Sequence, residues 1–398
     1  MPPPNPFTYT SLPNADTWMR LLLLLLATNG DAASPLYGEL NPCARDTAPP
    51  YNPISYCWGD TTDSSILNIR HDGETEWSQL PIRSNLAELL RELRGSLSGK
   101  PIRVDAICIN QSDEITEKGH QVRNMDKVYR GRDVIIWLGQ ADESSNHVMD
   151  LLDKVCLIKA SASITAMDSS HGFQQDQAQD VGSASMEQLF AELQPNGYKA
   201  LYEFVSRPWF SRRWIVQLYV LSGTAMIWVD NRKQDFEALQ LVYRALRPKL
   251  VQHRDGKGWK ITCNFDPDHP HHMPSEEIDP LKRFHRLLWT HDTVLSHNTD
   301  GLTLERLLDN FAGFFSADPR DGIYAFLSLA SDIDPLLWLP EYSKVADVVN
   351  IYRTAVFHIV EQSGCLDVVC RSNHAFAGSV HTEDRSTWVP WFGPQRIT

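Results

Sequence analysis

Ile102-Arg103-Val104-Asp105-Ala106-Ile107 is an apolar run with one acid inside it, and it predicts a buried β-strand at the centre of the fold. Similar apolar runs stand on either side of it, at residues 54–58 and 134–138. Between these runs, apolar residues recur at helical spacing over 86–93 and 122–129. This strand–helix–strand–helix–strand order predicts an α/β fold with right-handed crossovers, in which helices flank a parallel sheet.

The rest of the chain extends this sheet in both directions. Residues 1–50 predict a loose N-terminal arm followed by a first buried strand at 19–27. Residues 51–220 carry the alternating strands and helices, and residues 221–398 predict a mainly helical C-terminal extension. Two polar stretches predict loop insertions, at 161–185 and 251–280.

The composition is that of a folded protein of the cytoplasm. Apolar residues make up 42% of the chain and charged residues 22%, which excludes a disordered chain and a coiled coil. The formal net charge of −13 argues against a nucleic-acid-binding protein, and the aliphatic run at 21–27 is too short to span a membrane. The seven cysteines form no CxxC pair, so we predict reduced thiols and no structural zinc.

Familiar catalytic and metal-binding motifs are missing from the sequence. It contains no GxGxxG, no GxxxxGK[ST] and no GxSxG, which excludes the usual fingerprints for dinucleotides, P-loops and nucleophile elbows. The histidine-rich stretch 268–272 is broken by proline and lacks a metal-ligand spacing, so it predicts a solvated loop. We therefore expect no metal site and no required cofactor.

Polar residues just after the predicted strands are the first candidates for a site, because ligands of parallel sheets bind beyond the carboxyl ends of the strands. Asp105 is costly to bury unless it is paired, so a structural ion pair with Arg103 and a ligand contact are both open. Asp113 and Glu117 are four residues apart and share a helix face, although Asp113 is also suited to cap that helix. The residues just after the strands are Trp58, Gly59, Asp60, Asn110, Gln111 and Asp113.

A cluster of arginine and tryptophan follows at 207–214. Guanidinium groups stack on indole rings and bind oxyanions, so Arg207, Arg212 and Arg213 beside Trp209 and Trp214 are suited to clamp an anionic ligand. The alternative is a structural corner that is packed from the same residues.

Four stretches of the sequence resemble motifs of the fungal heterokaryon incompatibility (HET) domain family. Tyr56, Trp58, Gly59 and Asp60 belong to the first motif, Gln217 ends the third, and the fourth contains Asp318, Arg320 and Asp321. Together the four motifs are highly specific, and the core of the resemblance covers about 51–220. The stretches are Tyr51–Asp60 (YNPISYCWGD), Val104–Gln111 (VDAICINQ), Arg207–Gln217 (RPWFSRRWIVQ) and Asp318–Ala325 (DPRDGIYA).

The resemblance implies a protein of fungal self/non-self recognition and programmed cell death. It also implies a flavodoxin-like fold, because HET domains are distantly similar to Toll/interleukin-receptor (TIR) domains. The expected partners are other proteins, such as a second HET or incompatibility protein, or another copy of the chain, and neither nucleic acid nor a membrane span is expected.

The resemblance also raises the question of enzymatic activity, since some TIR-type domains cleave NAD. The family motif W-x-x-Q-E ends in an acid, and this sequence has Leu218 at that position. Leucine neither transfers a proton nor stabilises a cation, so the sequence favours a non-enzyme that acts through protein–protein contacts. The alternatives are an NAD-cleaving hydrolase, with Asp113, Glu117 or Glu203 as a substitute acid and NAD as ligand or substrate, and a HET-like enzyme recruited to a fungal biosynthetic pathway.

Overall fold

A computed structural model describes most of the chain in thirteen segments. Asp60, the histidines at 269–272 and most of the predicted insertion at 161–185 lie outside the described residues. The described residues are 5–27, 34–59, 62–97, 99–113, 116–168, 196–246, 250–255, 258–263, 280–334, 337–343, 346–370, 389–390 and 392.

Strands and helices alternate through the first third of the described chain, and helices dominate its last third. The strands are β1 (Trp18–Leu24), β2 (Leu36–Ala44), β3 (Asn52–Ser55), β4 (Ser64–Arg70), β5 (Ser78–Arg83), β6 (Pro101–Arg103), β7 (Asp133–Trp137), β8 (Thr224–Val229), β9 (Arg232–Asp235), β10 (Leu250–Asp255) and β11 (Gly258–Cys263). The helices are α1 (Ser84–Leu97), α2 (Asp105–Cys108), α3 (Lys118–Arg123), α4 (Met125–Tyr129), α5 (Glu143–Asp168), α6 (Asn196–Val205), α7 (Trp214–Leu221), α8 (Phe236–Leu246), α9 (Pro280–Leu295), α10 (Leu304–Asn310), α11 (Asp321–Tyr324), α12 (Val348–Ser363) and α13 (Asp367–Cys370).

The chain forms two compact units, and neither is a continuous segment. The first unit consists of residues 1–137, 211–224 and 286–398, and the second consists of residues 138–210 and 225–285. The three regions expected from the sequence are linear, whereas these units interleave along the chain.

A mixed sheet forms the centre of the first unit, with the strand order β5-β4-β2-β1-β6-β3-β7. The pairs β2–β4, β3–β6 and β3–β7 are parallel, while β1 pairs antiparallel with both β2 and β6, and β4 with β5. The three strands predicted around residue 102 are neighbours in this sheet, and helices lie between them in the chain. The predicted α/β class and the helical C-terminal region are confirmed, and antiparallel pairs add to the expected parallel ones.

Helix α1 shows why the periodicity of the sequence was informative. Its leucine face, which recurs at helical spacing, is wholly buried, and the exposed positions between are polar. The buried leucines are Leu86, Leu89, Leu90 and Leu93.

Three details of the first unit differ from the expectation. The strand at 102–107 ends at Arg103, because the amides of Ile107 and Cys108 both donate to the Val104 carbonyl and start α2. The helix expected over 122–129 is divided at Asn124 into α3 and α4. The hairpin of β4 and β5, which precedes α1, was not predicted at all.

The second unit contains long helices and two antiparallel hairpins. Strand β8 pairs with β9, and β10 pairs with β11 inside a stretch that was expected to be a loop insertion. Its aromatic core brings Phe210 edge-on to Trp209 and to Phe284, with ring centroids 5.0 and 5.5 Å apart.

Candidate functional site

The first unit encloses a cavity of about 550 Å³, within the size range of small-molecule sites. Its walls come from the loop after β3, from α2 to α4, from α7 and from residues 315–321. The HET-like motifs, which are far apart in the sequence, supply most of this lining. The predicted site residues that line the cavity are Tyr56, Trp58, Gly59, Asp105, Gln111, Arg212, Trp214, Asp318 and Asp321.

The loop after β3 requires glycine at position 59. Gly59 has a φ of +72°, and a Cβ there would lie 2.8 Å from the Asn85 side-chain amide. Asn85 in turn donates from Nδ2 to the Cys57 carbonyl, which fixes the loop against the start of α1. The Trp-Gly pair of the first motif therefore shapes one wall of the cavity.

Asp105 is both ion-paired and part of the cavity wall. Its Oδ2 accepts a hydrogen bond from the Tyr129 hydroxyl at 2.5 Å, and its Oδ1 lies 3.3 Å from Nε of the fully buried Arg103. Gln111 donates from Nε2 to the Asp105 carbonyl at 3.0 Å. Burial, followed by the Asp105 charge, raises the pKa of Tyr129 well above its usual value, so this hydroxyl stays a donor. Both carboxylate oxygens of Asp105 are thus engaged within the protein.

Asp321 is the second acid of the cavity and is buried. Its Oδ1 accepts from the Tyr342 hydroxyl at 2.6 Å, and the Trp214 indole N–H also donates to this carboxyl group. Burial raises the pKa of Asp321 to about 6 despite these donors. Lys118 also contacts Tyr342, with its Nζ 4.4 Å from the centre of the Tyr342 ring. Asp321 therefore changes charge close to neutral pH.

Asp318 is held in a bidentate ion pair. Arg320 contacts its two oxygens from Nε at 2.9 Å and from Nη2 at 2.8 Å. Arg320 also donates to the Ser343 carbonyl at 2.9 Å and does not line the cavity of about 550 Å³. The fourth motif therefore places Asp318 and Asp321 in the wall, and Arg320 positions Asp318.

Helix α7 turns one face toward the cavity. Trp214, Ile215 and Leu218 line it, whereas Gln217 points away and donates from Nε2 to the Ser328 hydroxyl. Leu218 thus occupies the cavity wall at the position where the family motif has an acid.

Two arginines form hydrogen bonds to the loop after β3. Arg83 donates to the Gly59 carbonyl at 2.8 Å and lies 5.3 Å from the Trp58 ring centre, and Arg212 donates to the Tyr56 carbonyl. Arg83, Lys118 and Tyr342 were not among the predicted site residues. Arg83 ends the hairpin that was not expected, and Tyr342 lies in an irregular segment without periodicity, so neither gave a signal in the sequence.

Three further predicted residues lie in the first unit but do not line the cavity. Glu117 forms a buried ion pair with Arg20, with distances of 2.6 and 2.8 Å to the two oxygens. Asp113 accepts from the Thr116 amide at 2.8 Å in a turn before α3, so the two acids do not share a helix face as expected. Asn110 also closes a turn, by accepting from the Ser112 amide at 3.2 Å.

The other half of the Arg/Trp cluster belongs to the second unit. Arg207 donates to the carbonyls of Leu138 and Gln140 and pairs with Asp142 at 2.6 Å, while Trp209 is buried. This half is the structural corner that was the alternative to an anion clamp. Glu203 pairs with Lys199 at 3.7 Å on the surface of this unit.

Neither a metal-binding cluster nor a membrane-spanning helix is found among the described residues. They contain no group of three or more histidine, cysteine or acidic side chains that could hold a metal ion. In the same part of the chain, none of the helices is both long enough and apolar enough to cross a membrane.

Comparison with known proteins matches the middle of the chain to a family. Residues 51–217 match the family described as Heterokaryon incompatibility protein (HET). Heterokaryon incompatibility protein 6, OR allele, from Neurospora crassa is 26% identical over 389 residues, which cover 90% of this chain and 54% of that protein. The chain thus spans about half the length of this curated relative, and no solved structure matches it. The resemblance to the heterokaryon incompatibility family that the motifs predicted is therefore confirmed, with residues 51–217 as the matching domain.

Proposed function

We propose that this chain is a heterokaryon-incompatibility-type protein that acts in the cytoplasm in fungal self/non-self recognition and cell-death signalling. The domain match and the name of the Neurospora relative support the incompatibility function. We further propose that the chain acts through contacts with other proteins rather than by cleaving NAD.

Leu218 is the observation that carries the non-enzymatic part of the proposal. Cleaving the bond between nicotinamide and ribose develops an oxocarbenium-like centre, which a nearby carboxylate stabilises. Leu218 lies on the cavity wall at the position of the family's acid, and its side chain offers no charge. Asp105 and Asp318, which also line the cavity, are held by ion pairs with Arg103 and Arg320.

The proposal is tested with three forms of the chain: the unmodified protein, Leu218→Glu and Leu218→Gln. Leu218→Gln is the uncharged control, because glutamine has the same size as glutamate. Purified proteins are assayed for NAD loss and nicotinamide release, and circular dichroism verifies that each is folded. We expect no turnover by the unmodified protein or by Leu218→Gln. Leu218→Glu restores a carboxylate to the cavity wall, and turnover by this variant alone would identify the missing acid.

The same forms are then expressed in a filamentous fungus. Hyphae of this strain are fused with hyphae of a strain that does not carry the protein. We expect growth arrest with the unmodified protein and with Leu218→Gln, without loss of cellular NAD. Fusion without growth arrest would contradict the incompatibility function, whereas arrest together with NAD loss would contradict the non-enzymatic mechanism.

NAD cleavage is a second candidate function, and Asp321 is the observation that favours it. This acid lies in the wall of the cavity, and its pKa of about 6 makes it partly ionised near neutral pH. If the unmodified protein turns over NAD, Asp321→Asn is expected to abolish the activity, because no other carboxyl group that lines the cavity is free of an ion pair among the described residues.

A further inference from the structure

Arg83 and Arg212 bring two positive charges to the cavity lining without a carboxylate to balance them. Each donates to a backbone carbonyl of the loop after β3, Arg83 to Gly59 and Arg212 to Tyr56. Within the described part of the chain, neither guanidinium forms an ion pair, although Asp105 and Asp318 pair with other arginines. A carbonyl accepts a hydrogen bond but carries no net charge, so the charge of both guanidinium groups remains available.

The two guanidinium groups lie close to the same residue. The charges of Arg212 and Arg83 both act on the Tyr56 hydroxyl and lower its pKa, against the larger rise that burial causes. A guanidinium has five N–H donors, and the bonds to Gly59 and Tyr56 use one from each group. Both side chains are only partly buried, so their remaining donors are available to a ligand in the cavity.

Aromatic surface adjoins these charges. Trp58, Trp214 and Phe315 line the same cavity, and the Arg83 guanidinium lies over the Trp58 ring. An oxyanion binds such paired guanidinium groups through charged hydrogen bonds, while a flat apolar group stacks on the indoles. Asp321 also lines the cavity, and when it is ionised it disfavours a second negative charge close to its carboxyl group.

We propose that Arg83 and Arg212 form an anion-binding subsite of the cavity, which takes a small aromatic molecule that bears one phosphate or carboxylate group. The inference goes beyond the proposed function, because it concerns a small ligand rather than a protein partner. It holds equally for a chain that cleaves NAD and for one that does not, so its failure and that of the proposed function are distinguishable.

The test uses two fluorescent probes that differ only in the anionic group. 8-Anilinonaphthalene-1-sulfonate carries a sulfonate, and N-phenyl-1-naphthylamine has the same rings without it. Binding of both is measured with the full chain, with Arg83→Gln and with Arg212→Gln. Arg130→Gln is the control, since it removes the same charge from an arginine whose side chain is 57% exposed. Thermal unfolding by circular dichroism verifies that each variant is folded.

We expect Arg83→Gln and Arg212→Gln each to weaken sulfonate binding about tenfold, which is the loss of one charged hydrogen bond. Binding of the uncharged probe is expected to weaken less than about twofold in these variants, because it makes no charged hydrogen bond. Arg130→Gln is expected to change the binding of neither probe. Equal weakening of both probes, or no weakening of the sulfonate probe, would overturn the proposal. Failure of the unmodified chain to bind the sulfonate probe would also overturn it.

Two further measurements locate the probe and identify the preferred anion. Ala317 is exposed and lines the cavity, so Ala317→Trp narrows the entrance and is expected to reduce binding of both probes. Unchanged binding would place the probes elsewhere and would contradict the assignment. Phenyl phosphate and benzoate then compete with the sulfonate probe, and the stronger competitor shows whether the subsite prefers a phosphate or a carboxylate; displacement by neither would overturn the proposal.

Discussion

At the scale of single residues, the first unit accommodates buried ionisable groups in three ways. Arg20 is fully buried and receives a full counter-charge from Glu117. Arg213 is also buried but donates only to backbone carbonyls, and burial lowers its pKa to about 10. Asp321 has no ion-pair partner among the described residues, and burial raises its pKa to about 6 by favouring the protonated form. Each solution leaves a measurable signature in the stability of the protein.

The raised pKa of Asp321 predicts a specific dependence of stability on pH. Between pH 3.8, the ordinary value, and about 6, the folded protein holds a proton that the unfolded chain has released. The stabilisation is therefore complete below pH 3.8 and is lost as the pH rises through about 6. A shift of this size corresponds to about 3 kcal/mol at most.

Asp321→Asn removes this titration while it keeps an oxygen for the Tyr342 hydroxyl. We expect the free energy of unfolding of the variant, relative to that of the unmodified chain, to increase by about 2–3 kcal/mol between pH 4 and pH 7, because only the unmodified chain loses stability over this range. Urea unfolding at the two pH values measures it. Asp300→Asn, at an exposed position, is the control and is expected to show no such change. A relative stability independent of pH would contradict a buried, titrating Asp321.

At the scale of elements, α3 and the segment 337–343 pack without room for a side chain. A Cβ on Gly119 would lie 2.1 Å from the Pro340 carbonyl oxygen, which is far inside van der Waals contact. The same segment carries Tyr342, which reaches Asp321 in the cavity. Gly119 therefore permits the approach that completes this wall.

Gly119→Ala is expected to destabilise the protein by about 1–3 kcal/mol, because the backbone of one element must shift. Gly95→Ala is the matched control in helix α1, where a Cβ meets nothing within 4 Å. There alanine is expected to stabilise by about 0.5–1 kcal/mol, since it lowers the entropy of the unfolded chain. Unfolding in urea measures both, and a loss of stability in Gly95→Ala similar to that in Gly119→Ala would refute the packing argument.

The elements also show what the sequence can and cannot predict. Periodicity predicted α1, because the burial of its leucines depends on local spacing alone. The same reasoning wrongly predicted a strand at residues 105–107. Hydrophobic spacing does not reveal that the Val104 carbonyl accepts hydrogen bonds from two amides, which turn the chain into a helix. At the site, the motifs named Trp58, Asp105 and Asp321 as candidates, and all three line one cavity, whereas Arg83 and Tyr342 depend on long-range packing that spacing does not encode.

At the scale of the whole molecule, Arg213 connects the middle of the first unit to its C-terminal part. Its guanidinium donates to the Gly322 and Phe392 carbonyls at 2.8 and 2.6 Å and to the Phe314 carbonyl at 3.0 Å. These acceptors belong to residues well beyond the region that matches the family, 51–217. The HET-like segment therefore shares its fold with a C-terminal segment of the same unit.

Arg213→Lys keeps the charge but loses the fork of donors, since an ammonium group cannot span carbonyls on several sides. We expect a loss of about 2–4 kcal/mol in the free energy of unfolding, as buried carbonyls lose their partners. Arg130→Lys, at an exposed arginine, is the control and is expected to change stability by less than about 0.5 kcal/mol. Similar midpoints of unfolding for the two variants would show that Arg213 does not connect these segments.

The interleaved first unit has a consequence for biosynthesis. Tyr56 and Trp58 leave the ribosome early, but Asp321 and Tyr342, which line the same cavity, emerge much later. At about 5–20 residues per second the interval is tens of seconds, during which the N-terminal strands lack their later partners. The cavity lining is thus completed late in translation, and a nascent chain that ends between residues 217 and 321 carries the first three motifs without Asp321 and Tyr342.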